Sequence, residues 1–161
     1  MKRDFIFVFI LLAILSMVNA IPHQLHKRDT TFVQCPKTDE NVASLLTVIV
    51  SPDPPVAGQT ATYTISGELA KAAPLGSELR IGFFDLEAKL IGVPTITDLC
   101  SKVECPTSSI SIVEQVTIPA ALPDAYASAV LIIDLDKIRY GCAVAAVGGN
   151  GGTGADPNAL N

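Results

Sequence analysis

The chain contains no tryptophan, and its two histidines, His23 and His26, both sit near the N-terminus. A serine or cysteine nucleophile usually needs a histidine base beside it. Beyond residue 28 no such base exists, and the sequence gives no positive evidence for an enzyme. Positive charge is also scarce: 11 Lys and Arg stand against 16 Asp and Glu, for a net charge of −5. Binding to nucleic acid draws on clustered Lys and Arg, and so does a patch that grips anionic lipid. Neither cluster is present, so nucleic acid is not an expected partner. With hydrophobic residues at 49% and charged ones at 17%, the composition excludes disorder for most of the chain. No Asn-x-Ser/Thr triplet occurs, so no N-glycan is expected.

One long apolar run is present, from Phe5 to Leu15. Lys2 and Arg3 precede it, and Val18-Asn19-Ala20 follows with small residues. A basic start, an apolar centre and a small-residue end make a secretory signal peptide, assigned to residues 1–20. The rival reading is a membrane anchor, but a spanning helix wants roughly 20 apolar residues and this run falls short. Lys27-Arg28 then ends a short stretch, 21–28, read either as a released pro-segment or as two solvated charges in a mobile terminus. Either cut leaves an acidic mature chain in an oxidising compartment. The expected location is outside the cell, or a vacuolar or endolysosomal lumen reached by the secretory route.

Four cysteines suit that compartment, and two disulfides are expected. Four cysteines allow three pairings. Cys100 and Cys105 are close enough for a small closed loop, which leaves Cys35 with Cys142. In the chain-entropy account the short loop is worth about 2 kcal/mol and the long one about 5 kcal/mol. A zinc site is the weaker reading, since there is no second close Cys pair and no nearby histidine. No metal and no cofactor are expected.

The remaining pattern is strand after strand. Leu45 to Ser51 is aliphatic and stops at a proline cluster, Pro52, Pro54 and Pro55. Thr60 to Ser66 alternates with period two, and Gly67 breaks it. Leu79, Ile81 and Phe83 alternate with Arg80 and Gly82, while Leu90 to Val93 is a short run stopped by Pro94. Ile110, Ile112, Val116 and Ile118 share a face that Glu114 interrupts. Tyr126 to Asp134 becomes apolar on both faces, and Tyr140 to Val147 is the last strand. No amphipathic helix appears. The pattern predicts an all-β fold: an immunoglobulin-like β-sandwich of about seven antiparallel strands. Residues 148–161, rich in glycine, read as a flexible tail. The pairs Asp134/Asp136 and Asp85/Glu87 could face one side of a strand, as acid–base catalysts do, but turn chemistry explains them better.

Four places in the chain add a further signal. They are Pro54-Pro55-Val56-Ala57-Gly58; Asp98-Leu99-Cys100 with Cys105-Pro106; Val116-Thr117-Ile118-Pro119 with Leu122-Pro123 and Tyr126; and Gly141-Cys142-Ala143. In order and spacing this set resembles the ML lipid-recognition family. That family includes Niemann-Pick type C2 sterol carriers and fungal phosphatidylglycerol/phosphatidylinositol transfer proteins, and the likeness runs from Cys35 to about Val147 within a domain at 29–147. The resemblance implies a splayed sandwich with an apolar cavity between its sheets, and the same two disulfides. It departs from the family in lacking the third disulfide of animal members. Gly82-Phe83-Phe84-Asp85 also stands where fungal relatives have a Lys-Tyr-Gly-like stretch.

The expected function is that of a lipid-binding and transfer protein carrying a phospholipid or sterol between membranes. The expected cavity lining is Val48, Val50, Tyr63, Ile65, Leu79, Ile81, Phe83, Ile112, Val116, Leu131, Ile133 and Val144. Small residues on the last two strands, Ala125, Ala127, Ala129, Ala143, Ala145 and Ala146, would leave room between the sheets. Val93, Pro94, Ile118, Pro119 and Leu122 would frame the mouth and touch a membrane surface transiently. A monomer is expected. The alternative is a secreted immunoglobulin-like interaction module with a solid core, acting through its surface.

Overall fold

The computed structural model describes residues 30–36 and 43–148. The leader, the pro-segment with its dibasic pair, both histidines and tail residues 149–161 lie outside the described residues. Among the described residues eight strands follow in order: β1 (Ser44–Leu45), β2 (Thr47–Ser51), β3 (Thr60–Ala73), β4 (Glu78–Phe84), β5 (Leu90–Asp98), β6 (Thr107–Thr117), β7 (Ala125–Ile133) and β8 (Arg139–Gly148). A 3-10 turn, Leu99–Ser101, stands between β5 and β6. The strands form a five-stranded sheet, ordered β1-β8-β7-β4-β5, and a three-stranded sheet, ordered β2-β3-β6. Both turn their apolar faces onto one buried cluster, so the fold is the all-β sandwich that the alternation predicts.

The strand count exceeds the expected seven, and one pair is parallel, for a single reason. The first apolar run changes sheets part-way. Ser44 and Leu45 pair in parallel with Gly141 and Cys142 of β8, whereas Thr47 to Ser51 pair antiparallel with β3. Leu46 sits at the crossing, 1% exposed, its N–H donating to the Cys142 carbonyl at 3.4 Å. Gly141 makes the crossing possible, because a Cβ there would meet Leu46 Cδ2 at 2.8 Å and Leu69 Cδ2 at 3.0 Å.

Pro94 does not end its strand. β5 runs on to Asp98, because it is the edge of its sheet and its outer side needs no N–H. Ile81 pairs with Thr95 and Phe83 with Ile91, so the residues between them bulge outward. Gly92 in that bulge has φ 70° and lies against Pro119, which a Cβ would approach to 3.0 Å. β3 likewise continues past Gly67, held by its pairing with Ile110 of β6.

The two open sides of the sandwich are closed differently. On the β2/β8 side runs the segment Thr30 to Pro36. Val33 and Val144 exchange N–H···O bonds of 2.8 and 2.9 Å. Cys35 is bonded to Cys142, and Phe32 packs inward with its ring 6.5 Å from that of Tyr63, edge to face. On the β5/β6 side both strands are sheet edges. Their connection carries the Cys100–Cys105 disulfide, with Cα atoms 5.4 Å apart. Both disulfides are those expected.

Register decides which face of β7 is buried. Leu79 pairs with Ile132, Ile81 with Val130 and Phe83 with Ser128. Ile132→Ala is therefore expected to cost about 2–5 kcal/mol in urea unfolding. Leu131→Ala, removing a half-buried side chain from the opposite face, should cost clearly less. Equal losses would mean that the register is wrong.

Candidate functional site

The interior between the sheets is the candidate site. Nine of the expected lining residues meet there in one buried cluster: Val48, Val50, Tyr63, Ile65, Leu79, Ile81, Phe83, Ile112 and Val116. Leu131, Ile133 and Val144 do not join it. Leu131 lies on the outer face, half-buried opposite Arg80. Ile133 is buried outside the cluster, opposite Glu78. Val144 is on the face of β8 opposite Ala143 and is bridged edge to edge by Val33. Their places are taken by Val130, Ile132 and Ala143. The stretch Val130 to Ile133 is apolar at every position, so period two alone offers two phases, and pairing with β4 selects one.

The small residues divide in the same way. Ala143 belongs to the cluster, and Ala145 is buried opposite Ser128. Ala125, Ala127 and Ala129 lie on the outer face of β7, and Ala146 is exposed. At the expected mouth, Val93 is 86% exposed, and Pro94, Pro119 and Leu122 are half-buried. Ile118 is instead 1% exposed and part of the core. Val56 and Leu86, which were not expected at the mouth, are exposed apolar groups on loops at the same end.

A family model described as ML domain matches residues 29–147. The chain belongs to the ML domain family. A relative from Candida albicans (strain SC5314 / ATCC MYA-2876), named phosphatidylglycerol/phosphatidylinositol transfer protein, is 33% identical over 106 residues. That stretch is 59% of this chain and 52% of the relative, so the chain spans about half the relative's length. The crystal structure of a Niemann-Pick type C2 protein from the Japanese carpenter ant is 12% identical, with a TM-score of 0.42. It covers 75% of this chain and 89% of that one.

Polar groups enter the interior of this ML domain at two places. In the first, Tyr63 Oη of β3 lies 3.1 Å from Ser128 Oγ of β7, a hydrogen bond that joins the two sheets through the core. Two residues along the same face of β7, the Tyr126 hydroxyl is buried with no hydrogen-bond partner among the described residues. The Tyr126 ring meets Phe83 edge-on, with centroids 6.0 Å apart. Nearby, Asp53 is fixed by Thr30, whose N–H donates to Oδ1 at 3.1 Å and Oδ2 at 2.9 Å and whose hydroxyl donates to Oδ1. Burial pushes the Tyr63 phenol up to about 12, with the charge of Asp53 adding a little. Burial and then Asp53 push Tyr126 up to about 12 as well. Tyr140 is also raised, by burial and by donating to Asp134 Oδ2 at 3.0 Å.

The second place is Glu114, the break in the apolar face of β6. It is neither at a bulge nor at a strand end but opposite Tyr63, mid-ladder. Its Oε1 accepts from the Thr97 hydroxyl at 3.2 Å, and its Oε2 lies 2.9 Å from Lys102 Nζ. These contacts tie the β5 side of one sheet to the β6 edge of the other. Sequence reading did not place Ser128, Asp53 or the Tyr126 hydroxyl at the site. The only signal was the Tyr-x-Ser spacing, which puts Tyr126 and Ser128 on one face of a strand.

The tyrosines make a checkable expectation. Free phenols titrate near pH 10, and Tyr63 and Tyr126 are held protonated to about pH 12 in the folded state. The unfolded chain therefore releases protons that the folded one keeps. Stability is full below pH 10 and falls as pH rises from about 10 to about 12. Absorbance at 295 nm should show both phenolates only above that window or together with unfolding. A folded protein with all three tyrosines ionised near pH 10 would contradict this.

Proposed function

We propose that this ML domain is a lipid carrier of the secretory pathway, taking up a phospholipid or sterol between its sheets and moving it between membranes. The observation that carries the reading is the interior itself. Two sheets present apolar faces to each other, and along the β5/β6 side no ladder joins them among the described residues. The name of the Candida relative, a phosphatidylglycerol/phosphatidylinositol transfer protein, supports the ligand class.

The energetics suit exchange. Each buried CH₂ is worth about 0.8 kcal/mol, so a chain of roughly fifteen methylenes carries on the order of 12 kcal/mol of transfer energy. A bilayer offers nearly the same amount, so uptake and release are close to balanced. The rim supplies the contact. Val93, Pro119 and Leu122, with Val56 and Leu86, present apolar groups at one end of the sandwich. We assign them to transient contact with a membrane surface. The secretory leader and two disulfides support work outside the cell or in a vacuolar or endolysosomal lumen.

Native mass spectrometry of the secreted protein, followed by solvent extraction, should find about one lipid per chain. Ala143→Phe enlarges a side chain inside the cluster, where overpacking costs about 1–3 kcal/mol. It should reduce loading from mixed liposomes while the domain stays folded. Ala129→Phe, on the outer face, should leave loading unchanged. A lipid-free protein that takes nothing from liposomes would point to a surface-binding module with a solid core.

A further inference from the structure

Buried tyrosine hydroxyls normally find a partner. The Tyr126 hydroxyl lacks one among the described residues, although the residue is 6% exposed and faces the core. Its neighbour on that face, Ser128, is 0% exposed and shares a hydrogen bond with Tyr63 from the opposite sheet. That bond uses one of the pair's two O–H protons. The group therefore holds two O–H donors, the second from the pair and the first from Tyr126, with no acceptor assigned to either. The hydroxyl oxygens keep lone pairs of their own, and a guest oxygen that accepts would satisfy these two free donors.

We propose that Tyr126, Ser128 and Tyr63 form an internal site for an uncharged acceptor oxygen of a lipid, the ester carbonyl of a diacyl lipid or the hydroxyl of a sterol. The proposal rests on the carrier reading and deepens it. A phosphate is the wrong ligand for this place. No Lys or Arg is buried among the described residues to neutralise it, and Lys102, which meets Glu114 at 2.9 Å, is already paired. Asp53, whose charge reaches both phenols, would repel it further. A charged headgroup thus stays outside while a neutral oxygen is read within. The apolar surroundings sharpen that reading, because an unmatched polar group has no water to turn to.

The test uses the secreted protein, stripped of lipid and offered phosphatidylcholine vesicles doped with matched pairs. One pair is diester against diether phosphatidylglycerol, which differ in the carbonyls. The other is a sterol against its parent hydrocarbon without the hydroxyl. Loaded lipid is quantified by mass spectrometry in direct competition. The wild-type protein should prefer the oxygen-bearing member of one pair by roughly three- to tenfold, the scale of one neutral hydrogen bond. The pair that shows the preference names the ligand. Tyr126→Phe should bring the ratio to about one, and Ser128→Ala should lower it.

The thermal midpoint of the unloaded Tyr126→Phe protein should equal or exceed the wild-type value, because the lost hydroxyl had no partner. A clear drop would make the hydroxyl structural and overturn the site. A wild-type protein that loads lipid but discriminates neither pair would overturn the site and leave the carrier reading standing. A wild-type protein that loads nothing would overturn both.

Discussion

The pairing of β4 with β7 is the constraint on which the interior depends. Leu79, Ile81 and Phe83 have only one apolar phase, because Arg80 must reach water and Gly82 has no side chain. Once they face inward, their partners on β7 must follow: Ile132, Val130 and Ser128. A slip of one residue would turn Leu131 and Ile133 into the core and carry Ser128 and Tyr126 out of it. The hydroxyl group at the centre of the sandwich is thus a product of register. It exists because β4 leaves β7 no choice.

Around that centre the protein uses its few polar groups sparingly. Tyr63 and Ser128 satisfy one another across the gap. Glu114 is neutralised by Lys102 and held by Thr97. Asp53 is taken up by Thr30, so its charge is fixed near the phenols without entering the core. These contacts of Tyr63, Glu114 and Asp53 each tie one strand or loop to another. The apolar faces supply the driving force for closing the sandwich, and these contacts set how the sheets lie on one another.

Legibility followed the strictness of alternation. β2, β3, β4 and β6 alternate cleanly, and every lining residue read from them falls in the cluster. β7 and β8 carry apolar residues on both faces; on β8 the second face includes Cys142, bonded to Cys35, and Val144, bridged to Val33. Periodicity cannot choose a phase there, and Leu131, Ile133 and Val144 were assigned to the wrong surface. The crossing at Leu46 was hidden for a related reason. A continuous aliphatic run looks the same whether it stays in one sheet or changes to another. Pro94 misled because a proline rule for central strands does not bind an edge. The disulfides were readable because compartment and spacing, not periodicity, determine them. Ile118 was read as a rim residue from its neighbour Pro119, but its side chain points the other way.

The unequal closure of the two sides gives the sandwich a spine and a fore-edge. At the spine, widening the gap means breaking Val33 from Val144 and working against the covalent Cys35–Cys142 bond. At the fore-edge, it means parting the side-chain contacts of Glu114 with Lys102 and Thr97, with no covalent bond to work against between the corners. The Cys100–Cys105 loop pins one corner of the fore-edge, since it joins β5 to β6 there. The opposite corner, where Gly92 meets Pro119, is tied by the connection from β6 to β7, residues 118–124, which passes from one sheet to the other. Both corners of the fore-edge are thus tied by chain, and the cheapest distortion is a parting of its middle, where the edges of β5 and β6 run side by side without a ladder between them.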